Sequence, residues 1–447
     1  MHTPSALATP AETATDLPWP APRRAWWAVS VLTFAYIVSF IDRAIIGLLI
    51  EPIKADFALT DIQIALVQGA AFAIFYAVMG VPMGWLADRL SRRGLISVGV
   101  SVWCLATAGC GLAGNFVQLF LARLGVGAGE AALSPSAMSM ISDLFPRERR
   151  GLPIGVYTMA AALGFGLALM LGGAVIHLIA DAQGLRLPLL GEVRPWQAAF
   201  ILVGVAGLIL LPLLATVQEP SRRGATVMAN QASGHGAVNF LLAHRGFYAP
   251  LYSSIALFAI LGYALLTWAP VMFMRSFGWT APQTGLRFGL VLLICGGLGT
   301  IVGGAVAARL HARQIAGAPI VVAGVAIAAY IPFTIASGLA TNPWVALAML
   351  GPALLFLTAP NGAALQALQE ATPGQFRGRA SALHYVFTSI VGLTLGPLSV
   401  AVFTDHIFAD PKSIGLALSI VTALLALPVI VLIFRSRRDF VALARGS

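Results

Sequence analysis

Twelve apolar stretches, each about 20 residues or longer, constrain this chain more than any other feature. Their cores fall at 26–50, 61–87, 94–114, 116–145, 151–179, 196–217, 248–274, 281–308, 316–337, 343–369, 378–407 and 413–434. A run of that length is what one helix needs to cross the hydrocarbon layer. Barrel strands would show alternating segments of about ten residues, and there are none. Charged residues make up 10% of the 447 residues, against about 25% in an ordinary soluble domain. That leaves too little polar surface for a soluble enzyme, a disulfide scaffold or a disordered chain. The expected fold is an all-α membrane protein of twelve transmembrane helices.

The net charge of +10 is a topology signal, not a sign of nucleic-acid binding. Nineteen of the 27 basic residues fall in loops on the side of the N-terminus and five on the opposite side; Arg43, Arg123 and Arg287 lie within spans. An excess of Lys and Arg marks the cytoplasmic side, so both termini are expected there. The longest polar break, 218–247, divides the chain into six-helix bundles at 26–217 and 248–434, with tails at 1–25 and 435–447. The first tail is rich in Pro, Ala and Thr and reads as disordered; without a basic region before an apolar core it does not fit a secretory signal. Cys104, Cys110 and Cys295 lie inside apolar runs and read as small packing residues.

The halves repeat. Pro146, Arg150 and Gly151 between spans 4 and 5 match Pro373, Arg377 and Gly378 between spans 10 and 11, at an offset of 227 without a gap. More weakly, Gly84 to Arg89 after span 2 matches Gly304 to Arg309 after span 8, with Asp88 replaced by Ala308. Two six-helix halves related by an axis along the membrane normal form a transporter architecture. Thr60 to Gln63 reads as a capping box opening span 2.

Four charges lie deep in the first half. Asp42 is 16 residues past Trp26, about 24 Å along the helix, and Glu130 is 15 residues before Phe145, about 22 Å. The two acids thus lie at nearly one depth. Arg43 adjoins Asp42, about 100° around the helix, and Arg123 precedes Glu130 by two turns on the same face. An unpaired charge there costs roughly 2.5–3.5 kcal/mol even on the lenient insertion scale. The four must therefore be paired or line a cavity, and the sequence leaves open which acid pairs with which Arg. Gly125, Gly127 and Gly129 offer bare backbone for close packing, and Pro135 can bend span 4 just beyond the site.

The stretch Gly80, Gly84, Asp88, Arg89, Arg92 and Arg93 resembles the loop 2–3 signature of the major facilitator superfamily, with Ser91 where that signature usually has Gly. Over about 40–160 the likeness narrows. Asp42-Arg43, the Arg123 to Glu130 spacing, Ser134-Pro135 and the run from Asp143 through Pro146 to Gly151 look like the spinster-like branch. Organic anion:cation symporters share the charged pairs but usually place Pro soon after the Glu-Ala; here Ala132 and Leu133 follow. The resemblance implies a proton-driven carrier, with protons as coupling ion and no other cofactor, for lysophospholipids or sphingosine phosphates. It also implies a multi-pass protein of a bacterial inner membrane.

On this reading Glu130, with Asp42, is the proton site. Protonating either acid would leave the set at +1, free to hold an anionic head group through Arg43 or Arg123. Tyr157, Tyr263, Trp268, Asn361, His384 and Tyr385 are expected to line the cavity, with Tyr157 and His384 at repeat positions. Gly84, Asp88, Arg89, Arg92, Asp143, Arg150, Glu370 and Arg377 are expected to form the gate at the cytoplasmic end. The expected partners are membrane lipids and a small amphipathic or anionic substrate, the expected state a monomer. A sugar-acid symporter or a drug exporter is the alternative. An enzyme is not expected, because no HExxH, P-loop, Cys pair or nucleophile elbow is present.

Overall fold

The same chemistry opens corresponding helices in the two halves. Thr60 and Thr280, 220 residues apart, each accept the backbone N–H of the residue three on and donate their own N–H to that residue's side chain, Gln63 or Gln283. Asn115 and Asn342, 227 apart, each cap the helix that follows. Arg150 donates to the Phe145 carbonyl at 2.8 Å, and Arg377 to the Thr372 carbonyl at 2.9 Å, again 227 apart. The offset grows by seven residues, two helical turns, so register around the helix is kept.

The structure is a computed structural model and describes residues 18–146, 149–180, 185–187, 191–222, 234–373 and 376–446. Most of the sequence-expected first tail lies outside them, as do two residues of each repeated Pro–Gly loop. Twelve helices are long and apolar enough to cross a membrane: α1 Pro22–Phe57, α2 Asp61–Arg89, α3 Arg92–Gly111, α4 Phe116–Leu144, α5 Gly151–Leu178, α6 Pro195–Ala215, α7 Arg245–Phe277, α8 Ala281–Ala312, α9 Ala318–Leu339, α10 Pro343–Ala371, α11 Arg379–Ile407 and α12 Pro411–Leu443. A short helix, Gly234–Ala243, occupies part of the expected linker, and α12 runs on into the stretch expected as a tail. The loop between α5 and α6 holds a small antiparallel ribbon, β1 Leu185–Leu187 with β2 Gly191–Val193.

With an even number of crossings, the start of α1 and the end of α12 lie at one face, here called the terminal end; the opposite face is the far end. The halves meet through α5 against α8, α2 against α11 and α1 against α7. A Cβ added at Gly166 of α5 would lie 2.8 Å from the Gly289 carbonyl of α8, so the two backbones touch. Gly155 is eleven residues nearer the terminal end, on the same face to within about 20°. A Cβ there would meet nothing within 4 Å. The pattern recurs across the other seam. Gly69 of α2 lies against the Leu393 backbone of α11, whereas Gly80, eleven residues on, has open space. The halves are in contact toward the far end and part toward the terminal end.

The π-helical turns Leu66–Ala70 in α2, Leu292–Gly296 in α8 and Phe387–Gly392 in α11 fall in the helices that form these seams. Such turns mark places where a helix can re-register.

A bulky side chain at the point of contact should wedge the halves apart. Gly166→Leu is expected to destabilise by about 1–3 kcal/mol through overpacking, read as a melting temperature lowered by a few degrees in detergent. Gly155→Ala should leave the melt unchanged.

Candidate functional site

α4 breaks at the site. Its first segment ends at Glu130 and its second begins at Leu133. Pro135 has no N–H to give the Ala131 carbonyl, so the helix is interrupted one residue after the acid, as the sequence predicts. Gly127 lets the Phe72 carbonyl of α2 approach to 2.6 Å of where a Cβ would stand, and Gly129 does the same for the Trp103 nitrogen of α3. These approaches draw α1, α2, α3 and α4 around one cluster.

The structure settles the pairing that the sequence leaves open. Arg43 holds Glu130, with Nε donating to Oε2 at 2.7 Å and Nη2 to the same oxygen. Arg123 faces Asp42, its Nη1 3.5 Å from Oδ1 and 3.4 Å from the Asp42 carbonyl. The Thr107 hydroxyl of α3 donates to the other Asp42 oxygen. Asp42, Arg123 and Glu130 are buried, while the Arg43 side chain keeps 17% of its surface. Arg43 is thus the cation of the set that still reaches the space between the halves. Its guanidinium lies over Phe72 at 4.5 Å, Phe40 at 5.1 Å and Tyr76 at 5.2 Å. The Glu130 Oε1 atom is buried with no hydrogen-bond partner. A buried lone pair of that kind is costly unless a proton or a ligand meets it.

Tyrosines surround Arg43. Tyr36 stacks on Tyr157 at 4.9 Å, and Tyr157 pairs with Ser134 at 3.2 Å. Tyr263 of α7 is close enough to Arg43 and Tyr76 to interact with both electrostatically, which makes it the second half's contribution. Tyr36 and Tyr76 are not expected from the sequence, where nothing distinguishes them from packing aromatics.

A second ionic cluster closes the far end and joins the halves. Arg275 of α7 donates to Glu51 of α1 at 2.6 Å and to both oxygens of Asp61 of α2 at 2.8 and 2.9 Å. Asp405 of α11 accepts the first backbone N–H groups of α2, from Asp61 at 3.2 Å and Ile62 at 2.7 Å. Thr404 donates to Asp61 at 3.0 Å, and Lys54 pairs with the same carboxylate. Asp61 and Arg275 are 1% and 5% exposed at the side chain.

Twelve helices, a repeated half and a buried ion set between the halves agree with a match of the Major Facilitator Superfamily profile to residues 32–397. The chain belongs to the Major Facilitator Superfamily. It is 30% identical over 432 residues to an MFS-type efflux pump of Mycolicibacterium smegmatis, covering 95% of this chain and 96% of that one. It is 24% identical over 425 residues to human Protein spinster homolog 1, covering 87% and 74%. Among solved structures, a bacterial homologue of the human lysosomal transporter spinster, inward-facing and occupied, superposes with a TM-score of 0.78 at 25% identity, covering 96% of this chain and 98% of that one. The spinster-like resemblance read from the sequence stands on these relatives. They are transporters, not enzymes.

The superfamily's loop 2–3 residues all lie at the terminal end, within the first half. Arg92 is buried and pairs with Asp143; its Nε donates to Glu219 at 2.8 Å and its Nη2 to the Pro220 carbonyl at 2.6 Å. Asp88 is exposed and holds Arg222 through its main-chain carbonyl. Arg89 stacks on Trp85, 3.9 Å from the ring centre. A Cβ at Gly84 would meet nothing. Glu370 accepts from Gln366 of its own helix at 2.8 Å. The gate expected at this end therefore makes no ionic bond across the halves among the described residues. Among the described residues, the ionic bonds that cross are at the far end, where the halves are in contact.

Trp268, expected in the cavity, is instead fully buried, its indole N–H donating to the Pro397 carbonyl at 2.9 Å. An indole that can find a carbonyl inside the protein is better satisfied there than beside a cavity. Asn361 and Tyr385 are exposed. His384 is buried, packed on Tyr385 at 5.3 Å, with Nδ1 unpartnered.

Removing Arg275 leaves Asp61 buried with one cation fewer. Arg275→Ala should cost the far-end closure about 3 kcal/mol, or roughly a hundredfold in the ratio of states. The measurement is maleimide labelling, from the far side, of a cysteine placed at Leu393 in a background lacking the native cysteines. Labelling that fails to rise would rule out this cluster as the closure.

Glu219 gives a pH prediction. Burial alone would raise its pKa, but the Arg93 amide, the Arg92 guanidinium, the Ser91 hydroxyl and the Arg92 amide outweigh burial and hold it below the ordinary 4.5. Its folded pKa is depressed, so its stabilisation is complete above 4.5 and is lost as pH falls below that value. The melting temperature of Glu219→Gln should therefore vary less than that of the native protein between pH 6 and pH 4.

Proposed function

We propose that the chain is a proton-coupled secondary transporter that moves an amphipathic anion, of the lysophospholipid or sphingosine phosphate kind, by rocking of its two halves. The observation that carries this reading is Glu130: buried, held by Arg43 through one oxygen, with the other oxygen unpartnered.

A proton arriving at Oε1 neutralises the carboxyl and removes the counter-charge of Arg43. Arg43 is then a cation at the edge of the gap, with a planar fork suited to phosphate or carboxylate. The Asp42–Arg123 pair, further from the gap and braced by Thr107, keeps its charge balance and holds α1 to α4. Phe40, Phe72 and the tyrosines around Arg43 supply an apolar and aromatic surface for the remainder of an amphiphile. Losing the proton restores the Arg43–Glu130 pair and expels the anion. The substrate anion and the ionised Glu130 carboxylate thus compete for one guanidinium, and the proton decides between them. This coupling uses protons alone as cofactor and requires no second subunit.

The arginine distribution supports cytoplasmic termini, which makes the far end the outer face of a bacterial inner membrane. In this conformation the gap opens toward the cytoplasm.

The likeness to the mycobacterial efflux pump favours a second reading, drug export by the same machinery. One experiment separates the two. Proteoliposomes with an imposed pH gradient are given lysophospholipids, sphingosine phosphate, a sugar acid and a lipophilic dye, with native protein and with Glu130→Gln. Gradient-stimulated lysolipid movement, lost in the variant, is the expected result. Movement of the dye alone would favour export, and of the sugar acid alone an organic-anion symporter. Lysolipid transport unchanged in the variant would remove Glu130 from the proton path.

A further inference from the structure

Arg287 of α8 has a different environment from the other far-end arginines with described partners. Arg194 is held by Asp56 at 2.6 Å, and Arg275 by Glu51 and Asp61. Arg287 has no carboxylate and no hydrogen-bond acceptor among the described residues. Its guanidinium lies instead over two tryptophan rings, 4.6 Å from the centre of Trp279 and 4.9 Å from that of Trp344. Trp279 precedes α8 and Trp344 opens α10, so both rings stand at the far end. Trp344 is 58% exposed, while Trp279 is anchored by stacking on Phe273 of α7 at 4.5 Å.

Arg287 is seven residues past the Thr280 cap, about 10 Å along the helix. Side chains on a helix lean toward its N-terminus, which for α8 is the far end, so the charge is carried up toward the membrane surface. The rings fix the guanidinium by its face and leave its edge N–H groups, five donors in one plane, without acceptors. Beginning level with it, Leu286, Leu290, Ile294 and Leu298 form an exposed stripe at four-residue spacing, about 18 Å long. A cation at headgroup depth above an acyl-length apolar stripe is complementary to a phospholipid. The guanidinium already occupies the face that each ring turns toward the other's cation site, and its positive charge repels a choline there. The unbalanced charge favours a lipid with net negative charge.

We propose that Arg287, Trp279 and Trp344 form a binding site for the phosphate of an anionic phospholipid in the leaflet at the far end, distinct from the transport site at Arg43. The donor edge of Arg287 takes the phosphate oxygens, Trp344 flanks the headgroup, and the α8 stripe carries the chains.

The test uses full-length protein in proteoliposomes and tryptophan quenching by lipids brominated high in the acyl chains. At equal mole fraction, brominated phosphatidylglycerol is expected to quench more than brominated phosphatidylcholine. The excess should vanish in Arg287→Ala and in Trp279→Phe/Trp344→Phe, and persist in part in Arg287→Lys. Unaltered gel-filtration behaviour and melting confirm that the variants fold. Equal quenching by the two lipids in the native protein, or an excess that survives Arg287→Ala, would overturn the proposal. A complete loss in Arg287→Lys would indicate that the fork as well as the charge is read.

Discussion

A charge in hydrocarbon must have a partner, and the first half is built around that requirement. Asp42, Arg43, Arg123 and Glu130 come from two helices, yet they satisfy one another only because glycines let α2 and α3 close on α4 and because α4 breaks right after Glu130. The two pairs differ in kind. Asp42 has a hydroxyl as well as a guanidinium and sits wholly inside. Glu130 depends on Arg43 alone, and Arg43 touches the gap. Each pair keeps one carboxylate oxygen without a hydrogen-bond partner, but Asp42 has the brace of Thr107 and Glu130 does not.

The same division of labour extends to the whole molecule. At the terminal end the bonds among the described charged residues stay within a half: Arg92 with Asp143 and Glu219, Arg150 with Phe145, Arg377 with Thr372. At the far end they bond between halves, through Arg275, Asp61 and Asp405. Each half can therefore move as a unit about the line where α5 meets α8 and α2 meets α11.

Much of this was legible in the sequence because it is locally encoded. Span length gives the helices. Thr60 and Gln63 are three residues apart and form the cap that spacing predicts. The offset of 227 reappears as two arginines closing equivalent loops. The equal depth of Asp42 and Glu130 follows from counting residues. What was not legible depends on how helices pack. Which Arg meets which acid turns on the angle between α1 and α4. Thr107 looks like any other threonine until α3 is placed. The far-end cluster joins residues more than 200 positions apart, and no local pattern marks it. Trp268 was misplaced because sequence cannot tell an indole facing a cavity from one that has found a carbonyl.

The two seams between the halves are made of different materials. At mid-depth the contact is glycine backbone on glycine backbone, Gly166 against Gly289, with no polar side chain between. Water has nothing to offer such a surface, and it can roll without exchanging a bond. The far-end contact is carboxylate, guanidinium and amide, each of which water can solvate once they separate. The molecule thus has a dry pivot and a wet seal. Motion that begins where solvent can replace what is broken need never break the part that solvent cannot replace.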